Sequence, residues 1–174
     1  MNSGETIIRR GEMQDIPWLA PIERAATGRF RGHPAFEPFW AQHFPDELFA
    51  AHVRDRTLWV VTIDDSKPIG LAFTSEIDGL AHLEEIDVHP EASGHGIGSE
   101  LLAAVCEIAR VSGYRAITLS TLVDVSWNAP FYAKRGFRIL APHELTPGLA
   151  ELQRREAMGG FPMDLRVIMR RELG

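Results

Sequence analysis

Three glycines at alternating positions, Gly94, Gly96 and Gly98, stand where a strand-like run gives way to a helical one. The stretch from His82 to Gly98 reads His-Leu-Glu-Glu-Ile-Asp-Val-His-Pro-Glu-Ala-Ser-Gly-His-Gly-Ile-Gly and continues as Ser-Glu-Leu-Leu-Ala-Ala-Val-Cys-Glu-Ile-Ala-Arg. This pattern predicts a strand, a tight turn and a helix. Glycines in such a turn let a ligand come close to the backbone. The first N–H groups of a helix have no partner inside it, and the helix dipole adds positive charge at that end. The combination makes an anion site suited to a phosphate or pyrophosphate. A Walker A loop is excluded, because Gly98 is followed by Ser99 with no lysine. The dinucleotide fingerprint fails too: Ser99 stands where its third glycine belongs, and no acidic residue ends a second parallel strand.

A third pattern fits. Val88-His89-Pro90, a turn, Gly94-x-Gly96-x-Gly98 and an amphipathic helix resemble motif A of the GNAT superfamily of N-acetyltransferases, whose loop holds the pyrophosphate of acetyl-CoA. The family's form is Arg or Gln, two residues, Gly, one residue, and Gly or Ala. Here Ser93 takes the Arg/Gln place, while Gly96 and Gly98 match the rest. Asn128 to Phe137 resembles motif B of the same superfamily, with Tyr132 followed by three residues and then Gly136-Phe137; the spacing from Asn128 to Tyr132 is shorter than in many members. The resemblance runs along most of the chain in element order and is specific over 82–98 and 127–137.

The resemblance implies an α/β (α+β) fold: a mixed, mostly antiparallel central sheet with flanking helices, in the order β-α-α-β-β-β-α-β-α-β-β, as one domain over residues 1–174. It implies acetyl-CoA as acyl donor, direct attack by a primary amine, and no metal. The expected cofactor contacts are Ser93, Gly94, His95, Gly96, Ile97, Gly98 and Ser99 in the loop, the Val88 N–H on the thioester carbonyl, and Asn128 and Tyr132. Tyr132 is the expected acid for the leaving thiolate. Its alternative is an aromatic ring packed beneath the cofactor.

The chemistry sets one more requirement: an amine attacks only when neutral, so its proton needs a base or a water path. Glu84 and Glu85 are adjacent and point to opposite faces of a strand. Ile86 and Val88 share the Glu84 face, which is expected to meet the core, whereas Leu83 and Asp87 share the Glu85 face. Glu85 is therefore the first candidate base and Glu84 the second. Alternatively, both are ordinary carboxylates and water relays the proton. His82, His89 and His95 lack the spacing of zinc ligands, and His95 contributes through its N–H. Trp127 packs at a helix start or stacks on adenine. Lys134-Arg135 is expected as a solvated helix end, with contact to CoA phosphates as the alternative.

These residues need elements to hold them. Thr6–Arg10 reads as a strand, and a helix opens near Met13–Pro17 with Asp15 as its cap and Trp18, Leu19, Ile22 and Ala26 as its apolar face. Residues 30–44 are rich in aromatics and broken by Pro34 and Pro38; they read as an irregular packed segment, part of which lines an acceptor pocket through His33 and Phe36. A helix follows over 45–55, then a hairpin over 57–76 turning at 64–67, a turn at Asp78-Gly79 and a strand over 81–88. The helix 97–111 crosses over to a strand at 116–121 that must be parallel to 81–88. Its face is Leu101, Leu102, Val105, Ile108 and Ala109, with Cys106 beside it as a small buried thiol. A strand at 137–140, a short helix around 149–157 and a last strand at 165–170 complete the chain.

The chain has 174 residues, net charge -6 and a single cysteine. That charge argues against nucleic-acid or anionic-membrane partners, and one cysteine excludes an internal disulfide. With a polar N-terminus and no apolar run of spanning length, a cytoplasmic protein is expected. The aromatic segment favours a small-molecule amine over a peptide as acceptor. Protein N-acetylation and a non-catalytic acyl-CoA-binding module are the alternatives, and the family's habit admits a homodimer.

Overall fold

β-Branched and apolar residues dominate the strands, and short turn signals separate them. In the computed structural model, which describes residues 5–64 and 66–174, they form one seven-stranded ladder. Residues 1–4 of the polar N-terminus and Asp65 of the expected 64–67 turn lie outside the described residues. The strands are β1 (Thr6–Arg10), β2 (Leu58–Ile63), β3 (Gly70–Ile77), β4 (Leu80–Val88), β5 (Ala116–Leu122), β6 (Arg138–Ile139) and β7 (Arg166–Glu172), in the order β1-β2-β3-β4-β5-β7-β6. The helices are α1 (Ile16–Thr27), α2 (Phe36–Ala41), α3 (Asp46–Arg54), α4 (Ile97–Val111), α5 (Ala129–Ala133) and α6 (Pro147–Met158).

The mixed, mostly antiparallel sheet expected from the sequence is present. β4 and β5 pair in parallel through Ala81↔Ile117, His82↔Thr118 and Leu83↔Leu119. β1–β2, β2–β3, β5–β7 and β6–β7 are antiparallel. The parallel pair follows from α4, since only a long connection can return a chain to the same strand direction. Asp78 and Gly79 both take positive φ, 51° and 76°, as a two-residue hairpin turn demands.

The chain groups into two compact units. Among the described residues, the first comprises 5–64, 66–74 and 85–105, the second 75–84 and 106–174. Within the first, Ile16, Leu19 and Ile22 of α1 bury against Phe49 of α3 and Leu58, Val60, Leu71 and Phe73 of β2 and β3. Within the second, Leu140, Leu149 and Ile168 pack together with Ile77, Leu145 and Leu152 alongside. Leu101, Leu102, Val105 and Ala109 of α4 are buried, as is Cys106.

Four local expectations are corrected. Trp18 is 45% exposed and does not belong to the buried face of α1. Residues 30–44 are not wholly irregular, because α2 forms after Pro34 and takes Pro38 into its first turn. The strand expected at 137–140 is only Arg138–Ile139. α2 adds a helix to the expected element order, whereas α6 is the helix expected around 149–157.

Asp15 also departs from expectation. Its side chain does not cap α1. It takes the Arg9 guanidinium instead, at 2.8 and 3.0 Å, and accepts the Glu12 N–H at 2.8 Å. Burial raises its pKa, but Arg9 and the Glu12 N–H outweigh burial and hold the carboxyl below its ordinary value. A depressed carboxyl contributes stability that is present above its unfolded pKa of 3.8 and lost as pH falls through the folded value. Asp15→Asn should therefore melt lower than wild type at neutral pH, by about 1–3 kcal/mol in urea titration. The difference should shrink on acidification below the unfolded value.

Candidate active site

Within the first unit, β4 delivers the chain to the glycine turn. The His89 N–H donates to the Ile69 carbonyl at 2.8 Å, which fixes the strand end. Pro90–Ala92 forms one 3-10 turn, and the Ser93 N–H donates to the Pro90 carbonyl at 3.1 Å. Gly94 and Gly96 then adopt φ of 85° and 83°. A Cβ at either position would meet no atom within 4 Å, so the backbone conformation and not crowding calls for glycine there.

The Ser99 N–H is bonded to the Gly96 carbonyl at 2.9 Å and opens the helical ladder of α4. The amides of Gly96, Ile97 and Gly98 precede that first bond, the ordinary position of unsatisfied donors at a helix start. His95 is exposed in the turn, and Ser93 is half-buried. The loop residues Ser93, Gly94, His95, Gly96, Ile97, Gly98 and Ser99 are thus contiguous around one helix N-terminus.

The strand before the loop is shaped by a glycine that the sequence did not single out. A Cβ on Gly70 of β3 would lie 2.8 Å from the Asp87 carbonyl oxygen, 2.7 Å from Val61 Cγ1 and 3.3 Å from Val88 Cγ2. The backbone carrying Val88 therefore depends on a missing side chain in β3.

The expected carboxylates separate. Ser75 donates its hydroxyl to Glu84, which is exposed. Glu85 is half-buried and accepts the Ile86 N–H at 3.2 Å. Ile86 and Val88 are half-buried, so the Glu84 face is less deeply covered toward this end than expected. On the Glu85 face, Asp87 has a sealed Oδ2 with no hydrogen-bond partner. Burial, then the charges of Glu85 and Glu23, push its carboxyl well above the usual range, against a smaller pull from Arg29. Glu23 of α1 is 3% exposed, and its Oε2 also has no partner. Its Oε1 accepts the Thr27 hydroxyl at 3.2 Å.

Sequence reasoning passed over Asp87 and Glu23. The alternation that put Asp87 beside Glu85 was a usable signal. So was the glutamate sitting in the buried stripe of α1, next to Leu19, Ile22 and Ala26.

Within the second unit, α5 carries Tyr132. It is buried, with its ring edge-on to Phe131 at 5.2 Å and Phe137 at 5.7 Å. Gly136 at φ 85° ends this helix, as the motif requires. Asn128 precedes α5 without a side-chain cap bond, and its Nδ2 is buried with no partner. Lys134 is exposed, as a solvated helix end would be, whereas Arg135 is half-buried, lies over the Phe131 ring at 3.7 Å and donates to the Phe131 carbonyl. Trp127 is 37% exposed.

His82 is buried, with Nδ1 2.8 Å from the Thr118 hydroxyl; burial depresses its pKa. His89 accepts the Glu91 N–H at 3.4 Å. The three histidines thus occupy three different local roles.

Comparison with known proteins places these features in context. A model of the acetyltransferase (GNAT) family matches residues 24–137. An uncharacterized N-acetyltransferase of Bacillus subtilis, YjcF, is 28% identical over 113 residues, spanning 64% of this chain and 79% of that one. A glucosamine 6-phosphate N-acetyltransferase of Trypanosoma brucei brucei is 35% identical over 66 residues, 38% of this chain and 43% of that one. Among solved structures, the PaiA N-acetyltransferase of Thermoplasma acidophilum, in complex with coenzyme A, superposes with a TM-score of 0.72 at 18% identity over 97% of this chain and 99% of that one. At that identity the match shows the fold.

Gly70→Ala should displace the end of β4. The expected result is a lower melting temperature, equivalent to about 1–3 kcal/mol for a forced contact, with altered amide shifts at Asp87 and Val88 in NMR spectra.

Proposed function

Because the chain belongs to the GNAT acetyltransferase family and is an N-acetyltransferase, we propose that it transfers the acetyl group of acetyl-CoA to a primary amine by direct attack. The observation that carries this reading is the turn at Gly94 and Gly96, whose positive φ values lead into the unpaired amides at the start of α4. Those amides would hold the pyrophosphate of the cosubstrate. The short β4–β5 ladder, which ends at Leu83↔Leu119 while β4 runs on to Val88, supports a strand end free to serve the acyl group.

The roles follow from the chemistry. The amine loses a proton before attack, and Glu85, with Glu84 second, is the sequence's candidate to receive it. The thioester oxygen gains charge as the C–N bond forms, and the Val88 N–H is its donor. The C–S bond breaks with its electron pair on sulfur, and Tyr132 supplies the proton. Asn128, with an unpartnered Nδ2, supplies a donor to the cofactor arm. No step calls for a metal.

The acceptor is a small molecule on this reading. The aromatic segment supports it: Phe30 and Phe39 lie 4.8 Å apart, and Phe36 stacks on Trp40 at 5.6 Å. His33 is engaged locally, accepting the Ala35 N–H at 3.0 Å, so Phe36 is the better candidate for a pocket wall. No helix among the described residues is long and apolar enough to cross a membrane. A buried Cys106 fits a reducing cytoplasm, and a homodimer fits the family's habit.

Calorimetric titration with acetyl-CoA, with NAD and ATP as controls, tests the cosubstrate. Saturable one-to-one binding of acetyl-CoA alone is expected, followed by thiol release with an amine panel. Gly96→Asp should abolish that binding, by bulk and by charge beside the phosphates; normal affinity in this variant would remove the loop from the site. Tyr132→Phe should lower kcat at least tenfold while acetyl-CoA affinity stays within about twofold. An equal loss of both would reassign Tyr132 to packing.

A further inference from the structure

We propose that a cavity bordered by β1, the start of α1 and the turn after β2 binds a small aromatic monocarboxylate, with its ring on Trp18 and its carboxylate on Lys67. The site lies within the first unit. It uses none of the residues assigned above to acetyl transfer, so it stands apart from that reading.

The argument starts from Trp18. It is 45% exposed, although its helix neighbours Leu19 and Ile22 are buried. A single exposed apolar side chain is ordinary on a protein surface. Trp18, however, borders a cavity of about 380 Å³, lined also by Arg9, Gln14, Asp15, Lys67 and Pro68. That volume falls at the lower end of the ~300–1,000 Å³ typical of small-ligand pockets, which suits a molecule of one or two rings.

The charges of the lining select the ligand's sign. Arg9 and Asp15 neutralise each other through two hydrogen bonds, at 2.8 and 3.0 Å. Lys67 has no carboxylate partner among the described residues, and its ammonium stands 5.0 Å over the centroid of the Trp18 ring. An ammonium over an exposed aromatic face is held only weakly. A planar ring can therefore take that face, with the flexible lysine stem moving to its edge. There a carboxylate on the ring gives the ammonium the anion it lacks. Glu12 also borders the cavity and brings one negative charge. A monoanion meets half the repulsion there that a phosphate dianion meets.

The frame of the cavity is built before any ligand arrives. The Glu5 N–H donates to Asp64 Oδ1 at 2.8 Å, and the Asp64 N–H donates to the Glu5 carbonyl at 3.0 Å. The Ser66 N–H donates to the Ile63 carbonyl at 3.1 Å, just before Lys67 and the buried Pro68. Across the cavity, the Arg9–Asp15 pair ties β1 to the start of α1. Binding then reorders the Lys67 side chain and little else, which keeps the entropic cost low.

The test needs no acetyl-CoA. The whole chain, labelled with nitrogen-15, is titrated with sodium benzoate and followed by NMR. Benzamide, cyclohexanecarboxylate, inorganic phosphate and tetramethylammonium are the controls. Benzoate should give saturable shifts at the Trp18 indole and at the Gln14 and Lys67 amides. Its Kd should lie at least fivefold below those of benzamide and cyclohexanecarboxylate. Lys67→Met, which keeps an apolar stem, should weaken benzoate about fivefold and leave benzamide unchanged. Trp18→Leu should weaken both about tenfold. Both side chains are exposed, so both variants should melt within about 2 °C of wild type.

Four results would each overturn the proposal. One is the absence of saturable benzoate shifts. Another is equal affinity for benzoate and benzamide, in wild type or against an unchanged Lys67→Met. Tighter binding of tetramethylammonium would assign Trp18 to a cation. Displacement of benzoate by acetyl-CoA would assign the cavity to the cosubstrate.

Discussion

An α-helix cannot satisfy its own first amides, and this constraint organises the chain around the start of α4. For those amides to meet an anionic ligand, the chain must leave β4, turn through left-handed geometry and enter the helix within a few residues. Gly94 and Gly96 supply the φ values, and the His89–Ile69 hydrogen bond anchors the point of departure. Gly70 supports the same strand end from β3, by leaving room for the Asp87 carbonyl. The buried face of α4, Leu101, Leu102, Val105 and Ala109, holds the helix in place once it has begun. The geometry of the loop thus depends on packing well outside it.

The carboxylates obey a second constraint. Glu23 of α1 is buried with one oxygen unpartnered, and Asp87 of β4 has a sealed Oδ2 without a partner; each such oxygen lowers the stability of the native state. Asp15 gives the contrast within the same unit. It is 3% exposed, like Glu23, but Arg9 meets both its oxygens, and its charge stabilises the fold.

Most of the fold was legible because its signals are local. β1 has the bounds expected from its β-branched run and α4 those expected from helical spacing, and the Asp78-Gly79 turn follows from residues that tolerate positive φ. The crossover logic of parallel strands then placed β5 beside β4. What failed were properties set by tertiary contact. Trp18 has helical spacing with Leu19 and Ile22, yet it lies outside, where Lys67 covers its ring at 5.0 Å. Asp15 has the sequence position of a cap, yet a better donor, Arg9, draws its side chain away. At the site, the glycine loop was readable from spacing, whereas Asp87 and Glu23 were not read. Their positions carried a sequence signal, but their lack of a hydrogen-bond partner is visible only in the packing.

The parallel pairing of β4 with β5 has a consequence for how the chain acquires its structure. His82 and Thr118, which share a hydrogen bond in that ladder, are 36 residues apart. The β2–β3–β4 meander closes through short turns and can assemble as soon as its own residues have left the ribosome. The ladder with β5 must wait for all of α4 and for the strand beyond it. Closure of long loops slows folding, and domains emerge from the N-terminus first during synthesis. The growing chain therefore passes through an interval in which residues 80–83 of β4 present an unpaired edge, and the speed with which α4 forms sets how long that edge stays open.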